Sequence, residues 1–525
     1  MAKEPVRKNC AGNTLSSQAT RAAQTRSFYI QMNILGISAG FHDASLAVIN
    51  TQGDILYASH SERYSGRKND ENLHVTQIWE AAENRSIDHM AYYETPWKKQ
   101  LRQLYSGQGI EWSKLTTGQI LGQQLQGYFG GVPYSSHGHH LSHAAGGFQT
   151  SPFDRATVVV IDAIGEWDTV TIWGAEYRNG RAHYTRLWRQ RYPHSVGLFY
   201  TAMTDRIGLK PMEEEYITMG MSAFGHNAAH TALGMEAQLI RDLDRVEFSQ
   251  NLHTGVAADF MWSSEPEDIA AGAQHLVEDL ILAIMRRARS FGWSSNLVYS
   301  GGVALNCRAN ARLGNIFDRI WVMPNPGDAG SSLGAAALAW GGRLNWRTAS
   351  LGTEIPGEYP VEACLHSLTT AGLCGVASGR AEWGPRSLGN RSLLADPRGP
   401  DIKDRVNAIK HRQQFRPFAP AILAEHVLDY FDMPDGWVDT GYMQVTGHCR
   451  RSDLFPAIVH VDGTSRVQTV PADGSGFRRL LEAWYAGTGC PMLLNTSLNI
   501  RGRPQVNTLA DAQEWQNTYG VAVHS

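Results

Sequence analysis

Apolar and polar positions between residues 33 and 63, "NILGISAGFHDASLAVINTQGDILYASHSER", predict three short strands joined by a glycine-bearing turn and a polar turn, an antiparallel meander. Residues 156 to 189, "ATVVVIDAIGEWDTVTIWGAEYRNGRAHYTRLWR", repeat the order: apolar strand, small-residue and acidic turn, strand, "RNGR" hairpin turn, strand. Between them, residues from about 75 to 130 read as polar and helical. "GHHLSHAAGGF", 138 to 148, opens a helix in which His139 and His143 share one face. "EPEDIAAGAQHLVEDLILAIMRRARSFG" reads as a long amphipathic helix, with acids early and Arg286, Arg287 and Arg289 late, as the helix dipole favours. "SNLVYSGGVALN" then reads as strand, glycine turn and helix.

The duplicated unit, with a tight turn between the first two strands of each half, describes an α/β actin-like ATPase architecture whose two turns face each other across a nucleotide cleft. Residues 342 to 360 are rich in turn formers, and the domain boundary is placed there. Three parts are expected: a flexible basic tail over 1–31, a duplicated domain over 32–348, and a smaller α/β domain over 349–525. The tail carries Lys3, Arg7, Lys8, Arg21 and Arg26 against Glu4, and a natural first strand begins just after Met32. A transit peptide is the other reading of that composition.

Composition narrows the function classes. With 525 residues, 42% apolar and 18% charged, the chain suits a multi-domain globular protein. The 47 basic and 50 acidic side chains nearly balance, so the strongly basic footprint of a nonspecific nucleic-acid binder is absent. No apolar run reaches bilayer-spanning length, so no membrane role is expected. Six cysteines without CxxC spacing fit a reducing, cytoplasmic setting.

Three features point toward the space that the two imidazoles share. Asp162 ends an apolar strand, where an unpaired charge is costly. Asp328 lies in a Pro/Gly loop entering a small-residue helix. "SGGVALN" has glycines that let backbone N–H groups approach a phosphate or ribose. Two histidines and two aspartates form a mixed N/O set suited to Fe(II), Mn(II), Zn(II) or Mg(II) rather than a thiolate metal.

The ordered motifs "FHDAS", "HHLSHA", "VVIDAIGEWDT", "MGMSAFG", "SGGVALN", "NPGDAGSSLGAA" and "GRAEWGPRSLGNRSLLADPR" resemble the O-carbamoyltransferase family, over nearly all of residues 33 to about 512. Its members include nodulation, cephem and tobramycin carbamoyltransferases. The resemblance implies a Kae1-like metal- and nucleotide-binding first domain and a YrdC-like second domain that makes carbamoyl adenylate from ATP and carbamoyl phosphate. The first domain then passes the carbamoyl group to an acceptor hydroxyl. It further implies His139, His143, Asp162 and Asp328 as metal ligands with Fe(2+) favoured, and His42 as the catalytic residue beside the acceptor. Gly165, Gly301, Gly302 and Asn306 are matched to cofactor binding. Arg386, Lys410, Arg416, Arg466, Asn495 and Ser497 are matched to carbamoyl phosphate and ATP with Mg(2+), Lys410 and Arg416 acting catalytically. The residues support this separately, because these cations lie between apolar neighbours such as Phe415, Phe418 and Leu493, and a buried cation needs an anion.

The chain departs from the family pattern at Ile217, where a lysine is usual, at Gln413 and at Ala163. Sugars, antibiotics and other natural products are the acceptors implied. A hydroxymethylated nucleobase, free or in DNA, is the alternative, with the aromatic stretch "YYETPWKKQLRQLY" as its contact or, on the other reading, as core. A threonylcarbamoyl-type tRNA modification protein and a nucleotide sensor are the rival classes, and a homodimer is among the assemblies left open.

Overall fold

The computed structural model describes residues 32–525, which form one compact unit; the predicted basic tail lies outside the described residues. The first sheet contains β1 (Asn33–Ser38), β2 (Ser45–Asn50), β3 (Ile55–His60), β4 (His89–Tyr92) and β5 (Tyr134–Ser136), in the order β3-β2-β1-β4-β5. The second contains β6 (Arg155–Gly165), β7 (Asp168–Arg178), β8 (Arg181–Arg191), β9 (Asn296–Ser300) and β10 (Arg319–Trp321), in the order β10-β9-β6-β7-β8. In each, three antiparallel strands are followed by two parallel ones. The duplication read from the meanders is therefore present in full topology. The strands β4 and β5 fall in or beside the stretch read as helical, because four and three residues are too short for a period to declare itself. That stretch also holds the helices Val75–Ala82, Pro96–Tyr105 and Thr117–Leu125.

The helices His139–Thr150 and Ser331–Trp340 cross at the centre of the first domain. Their backbones approach so closely that a Cβ on Gly334 would lie 1.9 Å from the carbonyl oxygen of Ser142. The small residues of "SSLGAAALAW" thus allow a crossing that brings His143 and Asp328 together.

From residue 355 a separate core forms, including Leu394, Leu480, Trp484 and Leu493, around a six-stranded mixed sheet. Its central strands are Met492–Ser497 and Arg391–Ala395, paired antiparallel. The expected boundary is laced rather than open. Strand Ser350–Ile355 pairs with Gly379–Glu382, while Leu351 and the fully buried Trp383 belong to the first domain's core. No described helix is long and apolar enough to cross a membrane.

Candidate functional site

The helix that opens at His139 aims both imidazoles at two carboxylates. The strand β6 loses regular register between Ile161 and Gly165, an irregularity that turns Asp162 out of the ladder. Asp328 begins the turn Asp328–Gly330 leading into helix Ser331–Trp340. One ligand atom from each of His139, His143, Asp162 and Asp328 lies within 4.8 Å of all the others. The His139 Nε2 atom is 3.1 Å from His143 Nε2 and 3.2 Å from Asp162 Oδ2, and His143 Nε2 is 3.1 Å from Asp328 Oδ1.

The rear of each ring is held. His139 Nδ1 donates to Glu94 at 3.2 Å, and His143 Nδ1 donates to the Pro326 carbonyl at 3.1 Å. Burial opposes charge on His139 and His143, yet Asp328 and Asp162 outweigh it and push both imidazoles up. Burial likewise opposes charge on the two carboxylates, but the facing imidazoles hold both well below the usual carboxylate range. Two buried acids facing two rings with fixed rear nitrogens form a set that fits a divalent cation, which would replace the shared protons.

The glycine turn supports this cluster from behind. Gly301 has φ 91°, which favours glycine, and a Cβ there would meet the Ile161 carbonyl at 2.2 Å. Its N–H donates to Pro326 and that of Gly302 to Asp162 Oδ1 at 3.2 Å. Both donors read as available for a nucleotide are thus used to fix the cluster. Asn306 caps the next helical turn at Ala309 and pairs with Gln274. Gly165 packs against His139 and His140, where a Cβ would come within 2.5 Å of both rings.

His42 faces the cluster from the β1–β2 turn, with Nε2 3.3 Å from Asp328 Oδ2 and Nδ1 3.2 Å from Asp43. Burial opposes its charge, but Asp328 and Asp43 push its pKa up; a cation taken up by the carboxylates relieves that pull. A cavity of about 620 Å³ opens onto His42 and Asp162.

The second-domain residues gather at the junction with the first domain. Lys410, 4% exposed, donates to the carbonyl of Ser497 at 2.5 Å and to Asn499 Oδ1 at 2.8 Å. Burial pushes Lys410, Arg412 and Arg416 down, and the neighbouring guanidiniums add to the push. For Arg386 the same holds, with Arg466 exerting the largest repulsion. The Arg466 Nε is buried without a partner. Among the described residues none of these five cations forms an ion pair with a carboxylate; Glu214, which feels Arg416, is paired with Arg501. Asn495 donates to Gln468, leaving its own Oδ1 buried and unpartnered.

Sequence reasoning missed four residues here. Glu94 and Lys99, 3.3 Å apart and buried, lie behind His139. Arg412 joins the cations with its guanidinium 3.9 Å from the centre of the Phe418 ring. Tyr216 reaches across from the first domain, its ring centre 4.8 Å from the Arg416 guanidinium, whereas Ile217 is fully buried. The signal for Glu94 was the one used for Asp162, a lone acid closing an apolar strand. The stretch "YYETPWKKQLRQLY" divides: Tyr92 and Tyr93 are buried, while Trp97 and Tyr105 are 50% and 70% exposed.

A duplicated α/β scaffold thus carries an imidazole–carboxylate cluster and, apart from it, a cluster of buried cations, and comparison with known proteins makes the chain a group-transfer enzyme. Residues 33–337 match the model for the carbamoyltransferase N-terminus and residues 366–523 that for the carbamoyltransferase C-terminus, so the chain belongs to the carbamoyltransferase family and transfers carbamoyl groups. It is 30% identical to nodulation protein NolNO of Sinorhizobium fredii, over 92% of this chain and 78% of that one. It is 31% identical to nodulation protein NolO of Bradyrhizobium diazoefficiens, over 71% of this chain and 75% of that one. A Synechocystis protein, sll1178, is 32% identical over 91% of this chain and 93% of its own length. Among solved structures, the activator of 2-hydroxyisocaproyl-CoA dehydratase from Clostridium difficile aligns with 59% of this chain and 94% of its own, at 16% identity and a TM-score of 0.34.

Proposed function

We propose that the protein is an ATP-dependent O-carbamoyltransferase in which a YrdC-like second domain makes carbamoyl adenylate and an actin-like, Kae1-like first domain passes the carbamoyl group to an acceptor hydroxyl. The observation that carries this reading is the set of five cations, Arg386, Lys410, Arg412, Arg416 and Arg466, none of which is ion-paired with a carboxylate among the described residues, the nearby Glu214 being paired with Arg501. Gathering like charges away from water is costly unless a polyanion joins them. ATP and carbamoyl phosphate are polyanions.

Loss of phosphate from carbamoyl phosphate to water gives carbamate. A carbamate oxygen then attacks the α-phosphorus of ATP, and the bond to pyrophosphate breaks. Arg386, Arg416 and Arg466 offer guanidinium forks to the phosphate oxygens, while Lys410, tied to Ser497 and Asn499, adds its ammonium charge at the floor of the site when a polyanion is bound. Magnesium with ATP is expected there.

In the first domain, His139, His143, Asp162 and Asp328 would hold the divalent ion, for which the family resemblance favours iron(II). When bound, such an ion supplies a positive charge beside the carbamoyl carbonyl or the departing AMP. The acceptor oxygen bonds to the carbamoyl carbon, the bond to AMP breaks, and His42 takes the acceptor proton at Nε2. Phe41 and the Lys99–Glu94 pair shape the approach to His42, with Lys99 3.2 Å from the centre of the Phe41 ring. Carbamoyl adenylate is open to hydrolysis, so transfer inside one compact unit protects it.

The test is pyrophosphate release. Purified protein with ATP and Mg²⁺ should release pyrophosphate only when carbamoyl phosphate is added, and mass spectrometry should show one added carbamoyl group on a true acceptor. ATP binding without such release would favour a nucleotide sensor, and a requirement for bicarbonate and threonine would favour a tRNA-modifying protein.

A further inference from the structure

We infer that the outer face of helix Pro96–Tyr105, with the arginines beside it, is a docking surface for an anionic phospholipid membrane; this goes beyond the carbamoyl-transfer reading and does not depend on it. A helix at a protein surface normally turns its apolar residues to the core and its polar ones to solvent. This one does the reverse. Lys99, Gln100 and Arg102 are buried, whereas Trp97, Leu101, Leu104 and Tyr105 are 50%, 47%, 52% and 70% exposed. Their spacing, i, i+4, i+7 and i+8, sets the four apolar side chains in one stripe.

Polar contacts hold the helix in this orientation. Lys99 pairs with Glu94 at 3.3 Å, Gln100 Oε1 accepts from the Glu111 N–H at 2.7 Å, and Arg102 donates to the Glu166 carbonyl at 3.2 Å. The stripe therefore stays outward, and it continues beyond the helix. Trp112, 69% exposed, lies in the turn Trp112–Lys114 that packs against the helix, and Tyr105 meets Trp167 with ring centres 5.5 Å apart. Apolar surface gathered in this way marks a place of contact, unlike single exposed side chains.

Charge selects the occupant. The helix carries Lys98, Lys99 and Arg102 and no acid. Just past Trp167, Asp168 faces the guanidiniums of Arg189, Arg191 and Arg186. Arg191 approaches it to 3.6 Å, while Arg186 and Arg189 are exposed and, among the described residues, form no ion pair. A second copy docked here by twofold symmetry would lay this cationic patch on its own image. A nucleic acid would meet the arginines, but Leu101 and Leu104 offer it neither a stacking plane nor a donor. Anionic headgroups complement the arginines, and the layer beneath them takes up Trp, Tyr and Leu. The lack of an apolar run of bilayer length bears on spanning alone, not on a contact of this kind.

Co-sedimentation of the purified protein with phosphatidylcholine vesicles, with and without phosphatidylglycerol, tests this. The anionic vesicles should bind about 10-fold or more tightly than the neutral ones, and high salt should remove the difference. Leu101→Gln with Leu104→Gln should weaken binding to the anionic vesicles about 10-fold or more without lowering Tm, since both leucines are exposed. Arg186→Gln with Arg189→Gln should cut the preference for anionic vesicles about 5-fold or more. Both variants keep the basic residues of segment 1–31, so a loss of binding assigns the contact to this face. The inference is overturned by an absence of vesicle binding, by unchanged binding of the leucine variant, or by tighter binding to a single-stranded oligonucleotide than to the anionic vesicles. A concentration-dependent dimer that the leucine variant abolishes would overturn it as well, by giving the stripe to a second copy. Pyrophosphate release is assayed without vesicles, so the carbamoyl-adenylate reading stands or falls separately.

Discussion

Glu94 accepts a hydrogen bond from His139 Nδ1 at 3.2 Å, and neither side chain is more than 1% exposed. The contact fixes the ring so that Nε2 faces His143 and the two aspartates, and Lys99 secures the carboxylate from behind at 3.3 Å. Replacing Glu94 with Gln should weaken divalent-ion binding by about 10–100-fold, the range typical for a lost ligand-orienting partner. Competition with a chromogenic chelator measures this, and an unchanged affinity would remove Glu94 from the support of the site.

Separation of the two clusters predicts separable half-reactions. The double variant His139→Ala, Asp328→Asn should retain no stoichiometric metal by elemental analysis and transfer no carbamoyl group. Carbamoyl phosphate-dependent pyrophosphate release should stay within about 2-fold of normal, as for sites that share no contacts. Parallel loss of both activities would mean that the metal cluster also serves adenylate formation.

The crowded cations predict a trade between stability and ligand binding. Arg466→Met removes one of several mutually repelling charges, one whose Nε is buried without a partner. Its ligand-free Tm should rise by about 1 °C, which corresponds to roughly 1 kcal/mol in a protein of this size. The stabilisation normally gained on adding ATP with carbamoyl phosphate should vanish. A lower Tm would show that the guanidinium contributes more through packing than it costs in repulsion.

His60 supplies a pH test on a group outside the His139, His143, Asp162 and Asp328 set. It is 8% exposed and accepts from Asn325 Nδ2 at 2.9 Å; burial, with Arg63 nearby, pushes its pKa down to about 3. The folded imidazole is neutral while the unfolded one protonates near pH 6.5, so unfolding takes up a proton below that pH. The stabilising term is complete above pH 6.5 and is lost progressively as pH falls toward 3, costing about 2 kcal/mol by pH 5. The Tm of the unmodified protein should fall more between pH 7.5 and 5 than that of His60→Asn; equal slopes would mean that protonation of His60 is relieved in the folded state.

The parts of this architecture legible in the sequence are those carried by period or by an isolated charge. Two meanders announce the duplication, because strand-forming runs of six to eleven residues bounded by turn formers recur in the same order. His139 and His143 declare a shared face through their spacing, and Asp162 is conspicuous at the end of "VVVI". The strands β4 and β5 gave no comparable signal, since pairing with β1 and with each other decides their conformation rather than local pattern. Tyr216 was invisible for another reason: its partner, Arg416, lies 200 positions away in another domain, and helix spacing says nothing about contacts of that kind. The glycines of "SGGVALN" were legible as a tight turn, but not the partners their N–H groups would choose.

The helix Glu215–Met221 carries Tyr216 under Arg416, and Glu214 just before it pairs with Arg501 at 2.5 Å, so the first domain supplies contacts to the second domain's cationic floor. This makes the seam between the domains a poor place to cut and paste. A chimera that grafts a relative's C-terminal half onto this N-terminal half inherits a mismatched lining unless that short helix travels with it, and swapping the helix alone should restore more activity than its length would suggest.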